Sequence, residues 1–418
     1  MRESKYLEYK ESVSNTFLKT VSAFANYGTG EIRFGVTDDG TEKGITDSVK
    51  CCLDIENRIN DSITPVPVYT LEIVEKSSII RLLVQEGLHK PYLYKGKAYC
   101  RNDSATIETD RLELTRLILE GQDMSYEELQ SKQTDLKFDL LTERLKSVLG
   151  LQVVSEDTLK TLELYKADRG FNVAGELFAD ENSLCGTDIV RFGSSINQIL
   201  DRETYDHVSL LKQYDGAVEM YRKYYQYEEI KGTVRNKVIL VPEEAFREAV
   251  ANALVHRTWD VNANINIAMF PDRIEITSPG GLPKGMSEDD YYKGGISILR
   301  NRIIGTVFLR LNMIERFGTG IRRIKEAYIL NDKKPIFDIS DSSIRMILPI
   351  IRERNGLTKD ENTIFEFLKG RTAASSAIVE ATGFGKTKVV SILKKLAAEG
   401  YIHSVGNGRG IKYTADKI

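Results

Sequence analysis

The chain has 418 residues, 41% hydrophobic and 28% charged, with a formal net charge of -3. That length exceeds what one hydrophobic core organises, so about two to four domains are expected. The near-neutral balance excludes a chain-wide field for nucleic acid and leaves any such contact to local patches. Cys51, Cys52, Cys100 and Cys185 have neither metal-ligand spacing nor a disulfide pattern, and adjacent Cys51 and Cys52 read as buried thiols of a reducing cytoplasm. The N-terminus lacks a signal-peptide core, and no window reaches the ~18 apolar residues of a membrane span. A cytoplasmic protein with no membrane partner is therefore expected.

The chain reads as a multidomain α/β (α+β) protein. Leu18, Val21, Phe24 and Ala25 predict a helix that Tyr27-Gly-Thr-Gly30 breaks. Glu31–Val36 alternates as a strand, and Asp38-Asp39-Gly40 closes it with turn chemistry. Strands follow at 68–74 and 79–84, then a helix from about 109 to 120. Polar, helical periodicity over 121–165 predicts a small connector. From 166 to 352 the α/β pattern resumes: a strand at 188–192, a long helix at 209–226, a helix around residue 248, strands at 264–270 and 273–277, and a closing strand at 346–350. Residues 351–359 are the best linker candidate. Over 358–418, three helices precede strands at 402–404 and 411–413 that flank Gly406-Asn-Gly-Arg-Gly410, the outline of a winged helix-turn-helix.

The most informative stretch is Glu248-Ala-Val-Ala-Asn252. Four residues apart on a helix, a carboxylate and an amide share one face. That pair can supply an oxygen ligand for a metal and a carboxylate that orients or deprotonates water. Phe246, Ala249, Val250, Ala253 and Leu254 make the helix apolar, so the pair borders a core rather than bulk water. Two glycine clusters follow, Ser278-Pro-Gly280-Gly281 and Phe317-Gly318-Thr319-Gly320, and together they outline a nucleotide pocket.

These motifs resemble those of bacterial proteins that join a Schlafen-type AlbA-like domain to a RecG C-terminal-like, GHKL-type ATP-binding domain and end in a winged helix. The resemblance implies an AlbA-like domain over 1–120, a connector over 121–165, a GHKL-like sandwich over 166–352 and a winged helix over 358–418. It implies ATP with Mg2+ as cofactors: Asn252 would hold the metal, Glu248 would act as base if hydrolysis occurs, and Gly318, Thr319 and Gly320 would wrap the phosphates. Residues 285–315 would form a lid. Ser278, followed by Gly280 and Gly281, stands where the family usually places the aspartate that holds the adenine amino group.

In the first domain, Glu3-Ser-Lys-Tyr-Leu-Glu8-Tyr-Lys10, Ala23-Phe-Ala-Asn26-x-Gly28-x-Gly30 and Gly35-Val36-x-Asp38 resemble the Schlafen pattern. In Schlafen nucleases that pattern surrounds a divalent metal, with Glu3, Glu8, Lys10 and Asp38 in the matching places. Two readings stay open: a DNA-binding transcriptional regulator with a nucleotide sensor, or a metal-dependent endonuclease acting on RNA or single-stranded DNA. An ATPase driving an assembly is a third.

The last 64 residues, 355–418, hold 10 Lys and Arg against 6 Asp and Glu, within a chain of net -3. Lys386, Lys388, Lys394 and Lys395 on or next to the third helix and Arg409 at the hairpin tip are the expected DNA contacts, Lys386 and Lys388 to phosphates. Paired half-sites on DNA predict a homodimer. Gly385-Lys386-Thr387 mimics the end of a phosphate-binding loop. The motif's preceding glycine would fall at Glu380, which rejects it. His256 is expected to pack or hydrogen-bond rather than accept a phosphoryl group.

Overall fold

The computed structural model describes residues 2–151, 153–231, 234–296, 298–315, 318–329, 331, 333–351, 357–398, 401–406 and 411–415. It is an α+β multidomain chain whose residues fall into two units, Met1–Leu129 and Gln130–Ile418.

The first unit is built on a sheet of β1 (Leu7–Lys10), β2 (Gly30–Phe34), β3 (Tyr69–Val74) and β4 (Ile79–Val84), in the order β1-β2-β4-β3. The parallel pair β1–β2 needs a crossover, which α1 (Phe17–Tyr27) supplies. Ile32 and Phe34 of β2 and Ile80, Leu82 and Val84 of β4 point inward with period two. They meet Phe17, Leu18, Val21 and Phe24 of α1 in one core. Burying each such side chain contributes roughly 1.5–3 kcal/mol. Gly30 is fixed by this packing, because a Cβ there would lie 2.5 Å from the Phe24 ring. Asn26, fully buried on α1, donates to Tyr92 O at 2.9 Å and accepts from Tyr92 N at 2.8 Å, pinning the following segment. The helix α2 (Ser48–Ser62), absent from the sequence expectations, packs a short apolar stripe of Cys51, Cys52, Ile55 and Ile59 on the core, while its exposed Val49 and Leu53 blur the helical period. The hairpin β5 (Tyr99–Asn102) and β6 (Ala105–Glu108) packs on α1, and α3 (Arg111–Gly121) follows, capped by Asp110.

The second unit begins with α4 (Asp139–Leu149) and centres on a six-stranded sheet. Its strands are β7 (Thr187–Phe192), β8 (Ile199–Tyr205), β11 (Ile265–Met269), β12 (Arg273–Pro279), β13 (Ile336–Ile339) and β14 (Ser343–Pro349), in the order β8-β7-β11-β12-β14-β13. A separate hairpin, β9 (Gln226–Lys231) and β10 (Val234–Ile239), lies between the helices α5 (Leu210–Tyr225) and α6 (Glu243–His256) in sequence. Ile274, Ile276 and Ser278 alternate on the buried face of β12, and α6 packs there with α5 beside it. Tyr221 of α5 stacks on Phe246 of α6 at 4.6 Å between ring centroids. Strand β8 was missed in the sequence because it is an edge strand with an exposed Ile-Leu-Asp-Arg-Glu-Thr-Tyr run and little alternation in hydropathy.

After β12 come α7 (Glu288–Lys293), α8 (Arg302–Arg310) and α9 (Gly320–Ala327). Within the expected lid, α8 buries Ile303, Ile304, Val307 and Phe308, which makes that half of the segment core. The C-terminal residues form α10 (Lys359–Leu368), β15 (Thr372–Ala374), α11 (Ser375–Thr382), α12 (Lys386–Ala398), β16 (His403–Val405) and β17 (Lys412–Thr414), with an antiparallel sheet ordered β15-β17-β16. Ile364, Leu368, Ile378, Val389, Leu393 and Leu396 share its core. A capping box between Thr358 and Glu361 starts α10, and Gly383 ends α11 in the left-handed conformation at φ 69°.

Candidate functional site: a glycine-framed cavity on the Glu248 helix

Helix α6 walls a cavity that opens to solvent. Glu248, Asn252 and His256, four residues apart, line it from one helix face. Across from them stand Gly318 and Gly320 at the start of α9, Ser278 and Gly280 at the end of β12, and Ile344 and Met346 from β14. The two glycine segments and the amide-bearing helix therefore face one space. Gly281 and Thr319 do not line it, and Arg316 and Phe317 of the second cluster lie outside the described residues.

The closest approach is at Gly320. A Cβ there would fall 2.2 Å from Glu248 Oε1 and 3.0 Å from Asn252 Nδ2, so a side chain would displace the pair. Gly280, at φ 101°, is equally constrained, since a Cβ would sit 1.9 Å from Thr258 Oγ1. Burial pushes the Glu248 carboxyl up, opposed by the Arg323 charge and by Asn252 Nδ2, which donates to Glu248 Oε1 at 3.3 Å. A carboxyl raised in this way is, once ionised, a stronger proton acceptor than an ordinary glutamate. Asn252 Oδ1 makes no hydrogen bond among the described residues and is left as an acceptor. That donor set fits Mg2+, which takes one or two protein oxygens and completes its shell with phosphate and water.

Ser278 is 6% exposed, and its hydroxyl donates to Ala253 O at 3.0 Å. His256 is lowered to about 4 by burial and by the Arg300 charge, so its imidazole is neutral at physiological pH. Next to it, Arg257 is fully buried; it donates to Gly186 O at 3.4 Å and Ala263 O at 2.6 Å and lies over the Trp259 ring. Arg257 thus ties the segment after α6 to the sheet and takes no part in the cavity. A residue that the sequence reading missed is Arg322. Its guanidinium donates to Lys293 O at 3.1 Å and Gly294 O at 3.0 Å, and Gly295 N donates to Gly318 O at 3.0 Å. The segment after α7 is thereby fastened to the glycine segment. Only the packing of α9 reveals this, because an arginine on a short helix reads as solvated.

The first unit holds a second carboxylate centre of different character. Glu8, 6% exposed, is paired through Oε1 with Lys10 and through Oε2 with Arg101. Arg101 is itself buried and donates to Ser4 O at 2.9 Å and Thr106 Oγ1 at 3.0 Å. Glu3 Oε1 accepts from Tyr9 N at 2.8 Å. Asp38 is exposed, while its neighbour Asp39 is held at about 2 by the Thr37 and Thr41 hydrogen bonds of the turn. No group of three or more His, Cys, Asp or Glu able to hold a metal occurs among the described residues. A catalytic divalent metal does not fit at Glu8, where both oxygens already face cations. Arg101 carried a faint signal: it occupies an inward position, two residues after the buried Tyr99 on β5.

Residues 3–110 match the family described as "Schlafen, AlbA_2". Residues 262–348 match the family described as "Putative ATP-dependent DNA helicase recG C-terminal". The chain joins a Schlafen AlbA-type domain to a RecG C-terminal, ATPase-like domain. These two domains associate the protein with nucleotide and with nucleic acid. No curated protein matches the chain. Among solved structures, the DIP2311 protein from Corynebacterium diphtheriae is similar in fold, with a TM-score of 0.50 and 17% identity over 98% of this chain and 92% of that one. The match to the RecG C-terminal family starts after α6, so Glu248 and Asn252 lie outside it, whereas Ser278, Gly280 and Gly318–Gly320 lie within it. Among the described residues, no helix is long and apolar enough to cross a membrane.

Of the expected DNA contacts, Lys388 pairs with Asp360 at 2.7 Å and Lys395 with Glu361 at 2.9 Å, both reaching back to α10. Lys386 and Lys394 are exposed. With Val389, Ile392, Leu393 and Leu396 buried, helical geometry places Thr387, Ser391 and Lys394 on the opposite face. Arg409 lies outside the described residues.

Proposed function

We propose that the protein is a nucleotide-responsive, DNA-binding transcriptional regulator. The observation that carries this reading is the close approach of Gly320 to the Glu248–Asn252 pair at the wall of one shared cavity. A helix beginning at Gly320 puts its first residues, Gly320 and Ile321, at the wall of that cavity, and the positive dipole end of a helix favours anions. ATP with Mg2+ suits it: Asn252 Oδ1 would face the metal, Glu248 would orient water, and the phosphates would lie against Gly318 and Gly320. Bound Mg2+ would neutralise phosphate charge, which no lining cation does among the described residues.

The DNA-binding part is the C-terminal group of elements. Its chain order of helix, strand, two helices and two strands is that of a winged helix, with α12 as the helix for the major groove. Thr387, Ser391 and Lys394 would meet bases, and Lys386 the backbone. The ion pairs of Lys388 and Lys395 give those two residues a smaller part. A homodimer would present two such helices to paired half-sites. The occupied carboxylate at Glu8 favours nucleic-acid binding without cleavage in the AlbA-type domain.

The test measures affinity for DNA fragments selected from random sequence, by fluorescence anisotropy, with and without ATP and Mg2+. The reading predicts that ATP shifts wild-type affinity by about tenfold, the usual size of coupling between sites, and leaves Asn252→Ala unmoved. Equal affinity in all four conditions would remove the sensor role, and no sequence preference would remove the regulator.

A further inference from the structure

The cavity wall contains no lysine or arginine among the described residues, and its charged members are Glu248 and Glu315. If phosphates lie at the Gly320 amides, the base of a nucleotide occupies the other end. Along α6 that end is eight residues from Glu248, about 12 Å by the helical rise. It is made by His256 and Ser278, with Ile344 and Met346 from the neighbouring strand. Ser278 and Ile344 are direct cross-strand partners, so their side chains share one face of the sheet.

The polar groups at this end have no fixed polarity. The Ser278 hydroxyl donates to Ala253 O and offers its lone pairs outward, and rotation about its C–O bond lets it donate instead. The neutral imidazole of His256 has one donor and one acceptor nitrogen, and no hydrogen bond to it is formed among the described residues. A carboxylate in this place would only accept, so it would select an amino edge and repel a carbonyl edge. Hydroxyl and imidazole can each answer either.

Resting on the nucleotide reading above, we propose that the base end of the cavity selects a planar heteroaromatic ring by its apolar walls and does not distinguish 6-amino from 6-oxo purines. The ligand class is then purine nucleotides in general rather than adenine nucleotides.

Calorimetric titration of the full chain with ATP and with inosine triphosphate, each with Mg2+, tests this, because the two differ only at purine position 6 and its adjoining ring nitrogen. The wild-type dissociation constants should agree within about threefold, well below the roughly tenfold that one discriminating hydrogen bond gives. Ser278→Asp should create a preference for ATP of about tenfold or more. Ser278→Ala should weaken both nucleotides alike. A wild-type preference for ATP of about tenfold or more would overturn the proposal, as would an unchanged ratio in Ser278→Asp. If that variant fails to fold, the wild-type ratio alone decides. Binding of neither nucleotide would overturn the nucleotide reading itself, which a preference for ATP would leave standing.

Discussion

Glu8 and Glu248 are both largely buried carboxylates, yet their surroundings prepare them for opposite ends. Glu8 has a cation on each oxygen, and Arg101, one of the two, is itself held by Ser4 O and Thr106 Oγ1. Glu248 has one amide donor, the field of Arg323 and an open cavity. A buried charge that is already neutralised holds a fold together, whereas one left short of partners faces something that has yet to arrive.

Breaking the first centre should have the largest effect. Arg101→Ala leaves one oxygen of the buried Glu8 without its cation while Lys10 keeps the other, and should cost about 3 kcal/mol, read by urea denaturation of the full chain. Replacing both partners, with Glu8→Leu and Arg101→Met, should cost much less. Equal losses would show that Arg101 contributes packing rather than charge.

At the second centre, Gly320→Ala should leave the melting temperature nearly unchanged, because the atom in the way is the end of a flexible glutamate. It should lower ATP affinity by roughly 10- to 100-fold, since a displacement of ~1 Å is enough for such a loss at a positioned site. Loss of fold together with binding would make Gly320 a packing residue.

Proton linkage sharpens the contrast. Burial raises Glu248, so its contribution to stability is present below the unfolded carboxyl value and is lost as pH rises through the raised one. Glu248→Gln should therefore stabilise the protein at neutral pH by about 0.5–2 kcal/mol, as removal of functional strain commonly does. Glu31 in the AlbA-type domain behaves in the opposite sense. Hydrogen bonds from Arg81 and Arg33 hold it at about 2, so its contribution is present above the unfolded value and disappears as pH falls towards 2. Acid titration of Glu31→Gln should flatten that limb, and an unchanged limb would refute the assignment.

The smallest effect is expected at the C-terminal helix. Lys394→Ala should weaken DNA binding and reduce the salt slope by about one, whereas Lys395→Ala, already paired with Glu361, should change the slope less. The reverse order would place the DNA on the α10 side.

These two centres were unequally legible in the sequence. The helix of Glu248 and the glycine clusters lie in strongly patterned segments, and the residues that line the cavity follow helical and strand periods that survive folding. Arg101 is 93 residues from Glu8, and no local period links them. Helix α2, strand β8 and the hairpin of β9 and β10 were missed for a related reason. Each carries little buried apolar surface, so neighbours rather than composition decide its conformation. The fastening of Lys293–Gly295 by Arg322 is likewise a product of the tertiary fold.

Equilibrium binding of ATP in the presence of Mg2+, compared between wild type and Asn252→Ala, tests the central claim most directly. The account predicts saturable one-site binding by wild type and an affinity at least about tenfold weaker in the variant. Identical affinities would place the nucleotide elsewhere, and no binding by wild type would leave the Glu248 cavity without its ligand.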